Sequence, residues 1–166
     1  MKRLDIERAL SSMPMPVTLI GSSWEGSDNV MTASWVTVSS RRPPLVSIFI
    51  SKKHLTSRFI SQSREFVLNV LASDQVEVSE TCGTVSGRKV DKYAQAGLKT
   101  RPADQVSVPL VEGCLANLEC RVVADYEVGD HNLFVGEIVA AHEGDRWEPL
   151  ARFDSRYADI LIKSEA

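Results

Sequence analysis

Hydrophobic and polar positions alternate most regularly between residues 115 and 126. Ala116, Leu118, Cys120, Val122, Ala124 and Tyr126 fall on one face, and Asn117, Glu119, Arg121 and Asp125 on the other. Period-two alternation of this length predicts a long, half-buried β-strand. A turn at Gly129-Asp130-His131-Asn132 separates it from an apolar run over Leu133 to Ala141, and Glu143-Gly144-Asp145 signals a further hairpin. Upstream, strands are expected over about Val17 to Ser22, Asn29 to Val38, Leu45 to Ile50 and Phe66 to Leu71. Trp24 to Asp28 reads as a turn, and Arg41 to Pro44 as a break, since two prolines do not continue a ladder. The helical segments are a short one capped by Asp5 and running to Ser12, one over Thr56 to Gln62, and one capped by Asp74 towards Cys82. A last helix over residues 88 to 96 stops at Gly97, a C′ glycine. Thr100 to Pro109 reads as a loop. Many turn-punctuated strands with two or three helices between them predict a mainly β fold, a barrel carrying helical insertions.

Composition narrows the classes. A chain of 166 residues fits one domain spanning 1–166 and buries a core without staples. The net charge of −3 disfavours nucleic acid as a partner. No apolar run approaches the roughly 18 residues of a membrane span, and the N-terminus does not read as a signal peptide, so cytoplasmic residence is expected. Cys82, Cys114 and Cys120 form no CxxC pair and read as buried thiols in a reducing compartment. The spacing of Cys114 and Cys120, with no histidine near, is poor for ligation, so no metal is expected.

Four segments carry candidate chemistry. The strand from Asn29 to Thr37 repeats hydroxyls at Thr32, Ser34 and Thr37 beside Ala33 and Trp35. That composition suits either a β-rich wall or a strand offering hydrogen bonds to a flat polar ring. Lys52-Lys53-His54-Leu55-Thr56-Ser57-Arg58 lies where a buried strand gives way to a helix, and there free N–H groups, a Thr/Ser cap and cations make an anion site or a solvated charge cluster. Ser86 to Tyr93 leads a second basic segment into a helix, with Lys92 and Tyr93 in reach of a phosphate or ribityl chain if they are not surface and packing residues. In Gly129 to Glu137, Asp130 beside His131 is placed to orient the imidazole and favour its charged form. Other motifs fail. Gly21 and Gly26 have P-loop spacing, but Ser27-Asp28 replaces the required Lys-Ser/Thr, and neither GxSxG nor His-Glu-x-x-His occurs.

The run Asn-Val-Met-Thr-Ala-Ser-Trp at 29 to 35, Ser-Gly with Asp-Lys-Tyr at 86 to 93, and Gly-Asp-His-Asn-Leu-Phe-Val-Gly-Glu at 129 to 137 resemble the flavin reductase-like FMN-binding split barrels, and most closely the flavoredoxin type. The resemblance covers about Pro16 to Tyr157. It implies a six-stranded antiparallel Greek-key barrel with peripheral helices, forming a homodimer with FMN near the interface. It implies that Asn29, Thr32, Ala33, Ser34 and Trp35 line the isoalloxazine ring, and that Thr56, Ser51 and Lys53 hold the phosphate end. Lys92 would contact the flavin, and His131 would stand close to the ring or the incoming donor as the catalytic residue. The tail departs from the family. Ala151 to Tyr157 stands where an aromatic or glycine-rich segment is usual, with Tyr157 as the available aromatic, and the chain then finishes Leu161 to Ala166. The expected function is an FMN-binding oxidoreductase that passes electrons from NAD(P)H or a redox protein to a flavin, ferric iron or protein acceptor. The alternative is a non-enzymatic FMN-binding or storage module.

Overall fold

A computed structural model describes residues 2–161; Met1 and residues 162–166, the end of the tail among them, lie outside the described residues. The chain forms α1 (Ile6–Ser11), β1 (Met15–Pro16), β2 (Thr18–Trp24), β3 (Ser27–Ala33), β4 (Val36–Arg41), β5 (Pro44–Ser51), α2 (Leu55–Ser63) and β6 (Glu65–Val70). It continues through α3 (Val76–Thr84), α4 (Lys92–Gln95), β7 (Thr100–Arg101), β8 (Leu110–Val111), β9 (Ala116–Val128), β10 (His131–Glu143), β11 (Leu150–Phe153) and β12 (Arg156–Asp159).

Seven strands make one antiparallel ladder in the order β3-β2-β6-β9-β10-β5-β4. The strand predicted over residues 29 to 38 is two strands. β3 lies at one edge of this sheet and β4 at the other, with Ser34 and Trp35 alone between them. Two residues span only about 7 Å, so the sheet curls until the Ala33 end of β3 lies near the Val36 end of β4. Among the described residues no hydrogen-bonded β3–β4 pairing closes the seam, and the ladder counts seven strands where six were expected. Inside the curl, Ile20, Ala33, Val46, Ile48, Phe66, Leu68, Cys120 and Phe134 pack with Ile60 of α2 as one cluster. Outside it, α3 and the segments after it cover Val17, Leu19 and Val30 through Cys82, Val111 and Cys114. All three cysteines are buried free thiols. Burial pushes the Cys82 thiol up to about 11 and Cys114 to about 12, and raises Cys120 as well.

Several boundaries differ from expectation, each for a local reason. Glu25 and Gly26 both take positive φ and close the β2–β3 hairpin as a two-residue turn. The proline break shrinks to Arg42-Pro43, because Pro44 already pairs with Arg41 at the hairpin end. Asp74 does not cap α3; its carboxylate accepts from Arg146, and Gln75 is the N-cap. The predicted 88–96 helix contracts to α4, because the Asp91 carboxylate accepts from the Tyr93 and Ala94 N–H groups and starts the helix there. Gly97 still follows it with φ +61°. His131 and Asn132 belong to β10, leaving Gly129-Asp130 as the turn. Glu143 to Asp145 closes no hairpin between β10 and β11, since β11 pairs instead with β1 and β12 in a separate small sheet.

The polar face of β9 is not solvated along its first half. Glu119 is fully buried because the 103–108 segment lies over it, and Asn117 nearly so beside β8, donating to the Val111 carbonyl and to Asn69. The segment's backbone N–H groups are satisfied by carboxylates from the sheet. Asp104, Gln105 and Val106 donate to Glu119, and Ser107 donates to Glu65. Among the described residues no helix is long and apolar enough to cross a membrane.

Candidate functional site

The seam between β3 and β4 organises the site. Because side chains alternate along β3, Asn29, Met31 and Ala33 face one way, and Val30 and Thr32 the other. Asn29 is buried, and its amide donates to the Thr56 hydroxyl at 2.7 Å. Thr32 donates instead to the Ser79 carbonyl of α3 at 2.6 Å. Ala33 faces the core, with its carbonyl accepting from the Thr18 hydroxyl. Ser34 interrupts the strand and accepts from the Val36 N–H. Trp35 emerges at the seam, 45% exposed.

Thr56 stands in the first turn of α2. The helix begins one residue earlier than expected, so His54, not a hydroxyl residue, is its N-cap, and His54 makes no side-chain capping bond. The first-turn N–H groups therefore remain available beside a cleft of about 160 Å³ lined by Asn29, Lys53, His54, Thr56, Gly87 and Lys92, among others, with no carboxylate in the lining. Lys92 is only 6% exposed; its ammonium donates to the Cys82 carbonyl at 2.7 Å and makes no salt bridge among the described residues. Burial holds the Lys92 ammonium below its ordinary range. His54 is held below the ordinary imidazole value by burial, then by Lys92, His131 and Arg88. Lys53 is exposed, and its carbonyl accepts from the Arg88 guanidinium at 3.0 Å. Lys53 and Lys92 thus meet in the cleft, with Arg88 beside Lys53, and no carboxylate lines it.

His131 lies across the β5–β10 ladder from Ser51, whose carbonyl accepts from the His54 N–H. Its Nδ1 is 2.6 Å from the Asp130 carboxylate, as the adjacency of the two residues suggested. That contact holds Asp130 below the usual carboxylate range. The imidazole stacks on Trp35 with centroids 4.6 Å apart and planes tilted by 30°. The next residue, Asn132, donates to the Ser57 hydroxyl at 2.8 Å and so ties the histidine strand to the first turn of α2.

The expected residues therefore divide. Asn29, Lys53, Thr56 and Lys92 line the basic cleft. Thr32 lines an adjoining cleft of about 860 Å³ with Gly83, Thr84, Arg152 and Tyr157. Trp35 and Asp130 border a groove of about 920 Å³ beneath α1, which shares Arg152 and Ser155 with the second cleft. Ala33 is turned into the core, and Ser51 lies outside the cleft lining, its carbonyl accepting from the His54 N–H. His54, Ser57, Gly87, Arg88 and Asn132 fall inside the segments singled out from the sequence but were not among the site residues expected there. Gly87 is required because a Cβ there would collide with the Asn29 side chain, a contact joining positions 58 residues apart.

Comparison with known proteins agrees with this architecture. The family model for the flavin reductase like domain matches residues 10–161. An uncharacterised protein of Archaeoglobus fulgidus is 39% identical over 135 residues, covering 81% of this chain and 76% of that protein. An NADH-dependent flavin reductase of a Rhodococcus species is 33% identical, with 81% of this chain and 74% of its own length covered. The crystal structure of flavoredoxin from Methanosarcina acetivorans superposes with a TM-score of 0.88 at 30% identity, over 100% of this chain and 95% of that one. By sequence and by fold, the chain belongs to the flavin reductase like domain family.

Proposed function

We propose that residues 1–166 form one FMN-binding oxidoreductase unit, taking electrons from NAD(P)H or a redox protein and passing them to a flavin, ferric iron or protein acceptor. One observation carries the reading: a cationic, carboxylate-free cleft at a helix N-terminus lies beside a seam where a half-exposed indole stacks on an oriented imidazole. Buried cations without acidic partners are costly unless an anion joins them. A phosphate monoester has the right charge, and the open N–H groups of α2 are directed at the same place.

The residues present fit FMN. Lys92, Lys53 and Thr56, with the Ser51 backbone, hold the phosphate end; Asn29, Thr32, Ala33, Ser34 and Trp35 surround the ring region. When bound, FMN supplies the one- and two-electron chemistry. His131 gives its Nδ1–H to Asp130, so its Nε2 faces away as an acceptor in the neutral ring and as a donor in the imidazolium, the form that favours negative charge at the ring. Trp35 shields that side from water.

The curled ladder supports the split-barrel reading, since β3 and β4 counted as one bent strand make six. A homodimer is supported by apolar surface without cover: Ile6 is 75% exposed, Val38 70% and Tyr126 59%. Free buried thiols favour the cytoplasm. The test is an absorbance spectrum of the purified protein, repeated without oxygen after adding NADH or NADPH. Flavin bands that bleach establish the reductase. Bands that persist until a reduced protein partner is added identify a carrier, and bands inert to both identify a storage module. Absence of flavin after reconstitution with FMN overturns the reading.

A further inference from the structure

Away from the seam, Glu119 is the one carboxylate among the described residues with no exposed surface. It projects from β9 under the 103–108 segment, diagonally across from His142 of β10, which pairs with Asn117. The His142 Nε2 lies 2.7 Å from Glu119 Oε1 and 3.9 Å from Asp104 Oδ2. One ligand atom from each of the three residues fits within a sphere of mutual distances below 4.8 Å. The Asp104 side chain is 68% exposed, so the group opens to solvent on that side only.

We propose that Asp104, Glu119 and His142 form a binding site for a divalent transition-metal ion of the Zn²⁺ class. Ligands at 2.0–2.1 Å from a tetrahedral ion stand roughly 3.3 Å apart, and the two His142 distances straddle that value. A small swing of the imidazole from Glu119 towards Asp104 equalises them. Two carboxylates and a neutral imidazole match the charge of a divalent ion, and an O₂N donor set suits zinc, nickel or cobalt better than calcium or magnesium. The outer shell is already built. The N–H groups of Asp104, Gln105 and Val106 donate to the Glu119 oxygens at 2.9, 2.6 and 3.2 Å and fix the carboxylate's orientation. The exchange balances for a neutral imidazole: the ion takes the place of the Nε2 proton between His142 and Glu119, Nδ1 carries the ring proton in the bound form, and water completes the coordination on the Asp104 side. No electron moves. The ion clamps the 103–108 segment to β9 and β10, independently of any flavin.

The test is calorimetric titration of the full chain, freed of metal, with ZnCl₂ in a non-coordinating buffer. It is joined by thermal melting with and without zinc. The expected result is one equivalent bound, a higher melting temperature, and affinity weaker by about tenfold or more in both Asp104→Asn and His142→Asn. Glu119→Gln is avoided as the primary variant because it perturbs a fully buried group. Circular dichroism of the two chosen variants establishes that they remain folded. No zinc uptake by the wild-type chain overturns the proposal, as does uptake of equal stoichiometry and affinity in both variants.

Discussion

Lys92 sits at the point where stability and binding pull in opposite directions. Its ammonium is buried against a single carbonyl and has no carboxylate to meet it. Removing such a charge relieves the ligand-free fold. Lys92→Met is therefore expected to raise the melting temperature of the apoprotein while weakening FMN by about tenfold or more, the loss of a charge-assisted contact. Riboflavin, which lacks the phosphate, should be affected little; flavin-fluorescence titration and thermal melting check both halves. His54 adds a pH dependence. Its imidazole is depressed below 6.5, so the unfolded chain holds that proton more readily. Its contribution to apoprotein stability therefore rises with pH from the depressed value up to 6.5 and is flat above. A bound phosphate reverses the repulsion from Lys92, His131 and Arg88. Binding thus takes up a proton at His54, and its share of the FMN affinity falls as pH rises above the depressed value, whereas riboflavin shows no such slope. Titration calorimetry in buffers of unlike ionisation enthalpy reads the uptake directly. At His131, truncation to alanine should change the rate or potential of flavin reduction more than the melting temperature. Unchanged rate, potential and FMN affinity would remove its assigned role. The Asp130–His131 pair was legible because the two are neighbours in the chain. Asn29–Thr56 and Asn132–Ser57 were not, since nothing local in the sequence announces hydrogen bonds made across such separations.

At the level of elements, the seam shows what periodicity sees and what it misses. Neither glycine nor proline interrupts Asn29 to Val38, and a single strand was the natural expectation. Composition records which residues suit a strand but not which partner the backbone pairs with, so the change of edge is marked only by the adjacent apolar pair Trp35-Val36. The β9 alternation likewise foretold the strand, but the burial of Glu119 depends on a segment that returns over it from elsewhere in the chain. Two glycines test the packing of these elements. A Cβ on Gly136 of β10 would stand 2.5 Å from the Phe66 ring and 3.0 Å from Cys120 Cβ. Gly136→Ala is expected to destabilise the fold by about 1–3 kcal/mol, the range for overpacking a tight core, as urea denaturation would measure. Gly87→Ala meets the Asn29 side chain at the edge of the basic cleft. It should cost FMN affinity with a smaller change in stability, because Asn29 must release Thr56.

For the whole molecule, the sheet curls on itself, two outer layers cover part of it, and apolar surface is left on α1, β4 and the far half of β9. Sedimentation of the FMN-loaded chain is expected to give twice the chain mass of 18.3 kDa, and a monomer with flavin bound would overturn the homodimer. The burial of Cys82, Cys114 and Cys120 has a different consequence. A reduced flavin exposed to air generates peroxide, and the residue that peroxide attacks fastest is a thiolate. Here each sulfur is shut away and held as the protonated thiol at neutral pH. The chain is thus armoured against the by-product of its own proposed chemistry, and a thiol reagent should find no fast-reacting cysteine in the native protein and all three after denaturation.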